Sequence, residues 1–94
     1  MRVRGLVAEA DAVSQQLGDE EAGADLEELA RALLKLKSDA MALLAVMPQH
    51  PDFQAADSHL GEAVDLIDDG MPADAAAFEV LAAKSRLEAS LKPA

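Results

Sequence analysis

The adjacent residues Ser58 and His59 carry two side chains that could accept a covalent group. A serine hydroxyl or a histidine ring nitrogen can act as a nucleophile and carry a transferred group such as a phosphoryl group. Asp57 precedes them, and Asp and Ser are also the residue types that commonly cap the N-terminus of a helix. The alternative interpretation is therefore structural, with an N-cap pair followed by a partly exposed histidine near a carboxylate.

Two kinds of small, acidic, helical domain use such residues. The sequence Asp-Ser-His-Leu at residues 57–60 resembles the Asp-Ser-Leu pattern of acyl and peptidyl carrier domains, with one residue inserted before the leucine. Histidine phosphotransfer domains place a lysine three residues and a glycine four residues after their histidine, whereas Glu62 and Ala63 follow His59. These resemblances imply an alternative function as a carrier or phosphotransfer-type domain that uses Ser58 or His59.

The residue types and their spacing give little support for a metal site or a catalytic site. The chain has no cysteine, which excludes thiol catalysis and thiolate metal sites. Di-iron sites in helical bundles need Glu-x-x-His pairs, but Met47 and Ala56 lie three residues before His50 and His59. The spacing of the remaining polar residues fits neither a calcium loop nor a phosphate-binding loop. We predict no catalytic residue, no metal and no cofactor, and expect that the protein is not an enzyme.

An acidic ridge is predicted on the segment 52–69, formed by Glu62, Asp65, Asp68 and Asp69. The whole chain has a formal net charge of −10, which disfavours direct binding to nucleic acid or to an anionic membrane. The ridge could bind a basic protein partner, or act as an acidic decoy of a DNA-binding protein. A solvated helix face with no partner is the structural alternative.

The segment 25–47 is predicted to be a long helix whose second half is apolar on every side. One stripe has the three- and four-residue spacing of a bundle seam: Leu26, Leu29, Leu33, Leu36, Ala40, Leu43 and Met47. Further apolar residues lie outside that stripe and form a candidate self-association surface: Leu34, Met41, Ala45 and Val46. Either this helix is central in the bundle, or part of its surface contacts another molecule.

The elements that position these residues are predicted to be four helices, because 21 of the 94 residues are alanine and Tyr, Trp and Thr are absent. Similar apolar spacing predicts helices over 2–17, 25–47, 52–69 and 72–91. The predicted fold class is all-α, an up-and-down antiparallel bundle of four helices that dimerisation could complete. Three helices with a docked N-terminal arm are the alternative architecture.

Several local features carry expectations of their own. Asp25 and Glu28 have the spacing of a capping box, and Lys35 and Asp39 that of an ion pair within a helix. Gly61 lowers the expectation of an unbroken third helix, whose N-cap could instead be Asp57 or Ser58. In the fourth helix Lys84 interrupts the apolar stripe, while Phe78 and Leu81 lie beside it.

The length of the chain predicts one helical domain over residues 1–94. We expect a non-enzymatic interaction or regulatory module that acts through protein–protein contacts and associates with itself as a homodimer or other homo-oligomer. No signal for secretion or membrane insertion is evident, since the longest apolar run covers only residues 40–47, and a cytoplasmic location is expected.

Overall fold

The computed structural model of the chain describes residues 3–18 and 26–91, and these residues form four helices. The helices are α1 (Val3–Gly18), α2 (Leu26–Val46), α3 (Pro51–Asp68) and α4 (Ala73–Leu91). Their bounds agree with the predicted ones to within one residue. The all-α fold is confirmed. The alternative with a docked N-terminal arm is wrong, because α1 is a packed helix that buries Leu6 and Ala10 in the core.

The four helices form an up-and-down bundle with a square arrangement. α1 packs on α2 and α4, and α3 packs on α2 and α4, whereas the diagonal pairs do not meet within the described ranges. Two contacts show that α3 and α4 are antiparallel, since Asp52 pairs with Arg86 and His59 with Glu79. The bundle is elongated and measures 40 × 21 × 19 Å.

The core consists of leucines in the middle of the bundle and alanines where helices approach closely. Leu33, Leu36 and Leu60 are almost completely buried, as the predicted stripes require. α3 and α4 have the most extensive contact of all pairs, and four core alanines of these two helices have no exposed surface: Ala56, Ala63, Ala76 and Ala83. Because alanine side chains are short, these backbones can pack tightly without leaving cavities.

α3 is one unbroken helix, as the predicted helix over 52–69 requires, and Gly61 does not interrupt it. It begins at Pro51 after His50, and the alternative N-cap at Asp57 or Ser58 is wrong because both residues lie in the middle of the helix. Proline suits the first helical position, since its fixed φ is close to the helical value and its missing N–H has no partner there. Gly61 faces the Lys37 side chain of α2, whose Cε would lie 3.5 Å from an added Cβ.

The turn between α3 and α4 ends the third helix with a Schellman motif. The Gly70 N–H donates to Ile67 O and the Met71 N–H donates to Leu66 O. Gly70 has a φ of +77°, in the left-handed region that glycine adopts without strain. Gly70 therefore ends α3, and Pro72 lies just before the first residue of α4.

Ion pairs link every pair of neighbouring helices. Lys35 of α2 binds Glu9 of α1 at 3.2 Å, so the predicted pairing of Lys35 with Asp39 is wrong. Lys37 of α2 donates to Asp57 of α3 at 2.6 Å. Asp25 and the side chain of Leu26 lie outside the part of the chain that the structure describes, so the predicted capping contact of Asp25 with Glu28 lies outside it too.

Lys84 lies in the seam between α4 and α1, where the sequence places an interruption of the apolar stripe. Its Nζ donates to Asp11 Oδ1 at 2.9 Å and lies 3.7 Å from Glu88 Oε1. The hydrogen bond to Asp11 is the main cause that raises the pKa of Lys84 above its usual value of 10.5. The lysine therefore stays charged and joins two helices.

Candidate interaction surfaces

The outward side of α2 exposes three large apolar side chains of the predicted self-association surface. Leu34 is 53% exposed, Met41 54% and Val46 79%, and the smaller Ala45 is also exposed. The possibility that α2 is central in the bundle is wrong, because it occupies one corner and packs only on α1 and α3 within the described residues. The second half of α2 therefore has an apolar surface that its own chain leaves uncovered.

This surface extends over two sides of α2. Leu34 lines a narrow cleft between α2 and α3, together with Ala30, Val64 and Asp68. Val46 lies at the other end of α2, in a groove that Val3 of α1 and Phe53 of α3 also line. The four predicted residues therefore do not form a single stripe.

Val46 belongs to an open apolar groove at one end of the bundle, which we call the end groove. It has a volume of about 340 Å³ and is lined by apolar side chains from three helices and a turn: Val3, Ala42, Leu43, Val46, Met47 and Phe53. Met47 is half exposed, although the predicted stripe places it in the seam, because α2 ends one residue earlier. His50 stacks on Phe53 with ring centroids 4.1 Å apart, and it lies in the turn next to the end groove.

The acidic ridge is exposed along its whole length. Glu62, Asp65, Asp68 and Asp69 all lie on the surface of α3 and the turn that follows it. In the part of the chain that the structure describes, none of the four takes part in an ion pair. The cause is the use of the cations elsewhere, since four of the six described Lys and Arg residues bridge two helices.

A second apolar stripe lies on the outer side of α4, and the sequence reasoning missed it. Phe78 is 72% exposed and Met71 49%, so the expectation that Phe78 lies beside the seam is wrong. Two half-buried alanines continue this stripe. Ala75 lies between Met71 and Phe78, and Ala82 follows Phe78. The spacing 71, 75, 78 and 82 was the available signal, because residues three and four apart share one helix face.

Ser58 and His59 lie next to each other in the middle of α3. Ser58 lies in the interior of α3, whereas the carrier resemblance places the serine at a helix N-terminus. The Nδ1 of His59 lies 2.8 Å from Oε2 of Glu79 on α4. A carboxylate can only accept a hydrogen bond, so Nδ1 carries the proton in this contact and His59 helps to join α3 and α4.

The described residues contain no group of three or more side chains that could hold a metal ion. Within the same residues, none of the helices is long and apolar enough to cross a membrane. No protein-family model, curated protein or solved structure matches this chain. What the chain does must therefore be inferred from its own surfaces.

Proposed function

We propose that this protein is a non-enzymatic interaction module that associates with a second copy of itself through the outward surface of α2. One observation carries the proposal: Leu34, Met41 and Val46 are each more than half exposed on a single helix of a small domain. Exposed apolar side chains that lie together on a small protein commonly mark an interaction site. Burying them against a second copy would remove this apolar area from water.

The distribution of charge favours a second copy on this side of the bundle. α1 and α2 together hold five carboxylates and four cations, whereas α3 holds five carboxylates and no cation. Two copies that each carry a net charge of −10 repel one another, and the repulsion is strongest where acidic faces meet. Asp68 of the acidic ridge lies beside Leu34, but no ridge carboxylate lines the end groove, so contact centred on the Val46 end of α2 keeps most of the two ridges away from the interface.

The end groove offers space for side chains of the partner copy. Val46 and Met47 project beside Val3 and Phe53 at the same end of the bundle. In a two-fold symmetric contact the same patch is used twice, so an exposed Val46 of one copy can enter the groove of the other. A surface that has both a projecting apolar side chain and an apolar groove can bind a second copy of itself.

Light scattering on the wild type and on Met41→Glu tests the proposal. We expect the wild type to have about twice the chain mass of 9.8 kDa and the variant to be a folded monomer. A carboxylate at this position would be desolvated in the interface, whereas in the free chain it stays in water because Met41 is exposed. Circular dichroism confirms that the variant retains its helices.

Ser85→Glu provides the matched control, since it adds the same charge at an exposed position of α4, on another corner of the bundle. This control should associate like the wild type. A wild type that is monomeric at high protein concentration would disprove self-association. If the Met41→Glu variant keeps the dimeric mass of the wild type, the outward surface of α2 is not the interface.

A further inference from the structure

The seam between α3 and α4 has an outer side that differs from the α2 surface. We use the name α3/α4 groove for the outer surface of this seam, where the following side chains are exposed or half-buried: Ala55, Glu62, Leu66 and Asp69 on the α3 side and Met71, Ala75, Phe78 and Ala82 on the α4 side. The ion pairs Asp52–Arg86 and His59–Glu79 fix the register of the two helices. In this register Glu62 is level with Ala76, next to the turn of α4 that carries Phe78.

The floor and the α4 edge of this groove are apolar. Leu66, Ala75 and Ala82 are half-buried, so each leaves part of its apolar surface in water. Phe78 and Met71 stand above them, 72% and 49% exposed. The hydrogen bond from Met71 N–H to Leu66 O holds the Met71 backbone next to Leu66. Aromatic side chains and methionine are enriched at protein interfaces, and methionine adapts to irregular partners.

The α3 edge of the groove is negative and has no neutralising cation. Glu62 and Asp69 are exposed and lack an ion-pair partner among the described residues. Two cations lie against α3, and both are already paired: Arg86 of α4 binds Asp52 at 3.1 Å, and Lys37 of α2 binds Asp57 at 2.6 Å. A second copy of the chain would bring a further −10 against this edge and would be repelled. The charge therefore selects a basic occupant.

We infer that the α3/α4 groove binds an amphipathic helix of a partner protein, with apolar side chains against Phe78 and Met71 and with Lys or Arg facing Glu62 and Asp69. An amphipathic helix places anchors at positions i, i+3 or i+4, and i+7, which matches a groove between two antiparallel helices. Phe78 supplies the central contact, and the carboxylates select the orientation and the charge of the partner. This site lies on the opposite side of α3 from α2, so it does not depend on self-association.

A synthetic peptide as long as α3 tests this inference by isothermal titration calorimetry. The peptide has leucines with helical spacing and lysines on its polar face. One comparison peptide has the same composition in scrambled order, and another has glutamate in place of lysine. We expect the first peptide to bind and both comparison peptides to bind at least about tenfold more weakly, because either the apolar stripe or the charge is lost.

Variants of the protein locate the binding site. Phe78→Ala should weaken binding by at least about tenfold, as truncation of a central aromatic anchor does. Leu81→Ala is its matched control, since Leu81 is 44% exposed on the other outer edge of α4, and should bind like the wild type. Glu62→Gln combined with Asp69→Asn should weaken binding several-fold at about 0.15 M salt. Its control, Glu28→Gln with Asp39→Asn, removes the same charge from α2.

Three outcomes would overturn the inference. Wild-type affinity in Phe78→Ala would show that the groove is not the binding site. Equal loss in the two charge-removing double variants would show that only the net charge matters. A lower molecular mass of Phe78→Ala in light scattering would show that a second copy occupies the groove. A monomeric wild type that still binds the peptide would leave this inference intact and disprove only the proposed self-association.

Discussion

α2 and α4 are opposite corners of the same bundle, and both expose large apolar side chains outside the core. On α2 these are Leu34, Met41 and Val46, and on α4 they are Phe78, Leu81 and Leu91, with Met71 in the turn before α4. In both helices the core stripe has the regular seam spacing, so these exposed side chains are not required for folding. The two surfaces are equally apolar in their residue types, yet they have different electrostatic surroundings.

The difference comes from the neighbouring helices. The end groove of α2 is lined only by apolar side chains, including Phe53 of α3, whereas the exposed carboxylates Glu62 and Asp69 border the groove of α4. Apolar surface supplies affinity in both cases, but the charge around it determines which partner can approach. We therefore assign a second copy of the chain as the partner of α2, and a basic amphipathic helix as the partner of the α3/α4 groove.

The largest expected effect is on the free energy of unfolding, and it distinguishes the buried side of α2 from its exposed side. Leu33 is 1% exposed and its neighbour Leu34 is 53% exposed. Leu33→Ala should lower the free energy of unfolding by about 2–5 kcal/mol, because it removes buried methyl groups and leaves a cavity. Leu34→Ala should change the free energy of unfolding of the monomer by less than about 0.5 kcal/mol.

Chemical denaturation of both variants at one fixed protein concentration measures these effects, since association adds to the apparent stability. The Met41→Glu background, which we expect to be monomeric, separates folding from association. A loss of more than about 2 kcal/mol for Leu34→Ala in this background would show that Leu34 belongs to the core. The distinction between the two sides of α2 would then be lost.

The buried stripe of α2 was predictable from the sequence because it depends only on local spacing. Leu29, Leu33, Leu36 and Ala40 repeat every three or four residues, and all four are buried. The stripe of α4 was harder to assign, because alanines occur on every side of that helix and mark no single face as the core. Phe78 was therefore expected near the seam, and the structure places it at the surface.

The contacts between helices could not be predicted from the sequence. The partners Lys35 and Glu9 are 26 residues apart, and their contact depends on the register of α1 against α2. The sequence shows a closer carboxylate, Asp39, and local spacing favours that pairing. Once the cross-helix contacts are known, it becomes clear why the acidic ridge lacks neutralising cations.

Salt should act in opposite directions on the two surfaces. Self-association through α2 brings together two chains of charge −10, so screening of their repulsion should strengthen the dimer as salt rises from about 0.05 to 0.3 M. Binding of the lysine-bearing peptide to the α3/α4 groove should weaken several-fold over the same range, because salt screens the attraction to Glu62 and Asp69.

Sedimentation equilibrium measures the first effect and calorimetry the second. The charge-neutralised variant with Glu62→Gln and Asp69→Asn should lose part of the salt dependence of peptide binding and keep that of self-association. Salt effects of the same sign on both equilibria would contradict the assignment of different partners to the two surfaces.

The smallest expected effect concerns α3, the helix that lies between the two surfaces. Gly61→Ala should raise the free energy of unfolding by about 0.5–1 kcal/mol, because glycine costs this much relative to alanine inside a helix. The added Cβ would lie 3.5 Å from Lys37 Cε, an ordinary contact distance, so the Lys37–Asp57 ion pair can persist. Gly70→Ala is the control and should destabilise the bundle, since its φ of +77° strains any residue with a Cβ. Because Gly61 faces α2 and not α4, Gly61→Ala should leave peptide affinity unchanged, and a change in that affinity would show that the two sides of α3 are coupled.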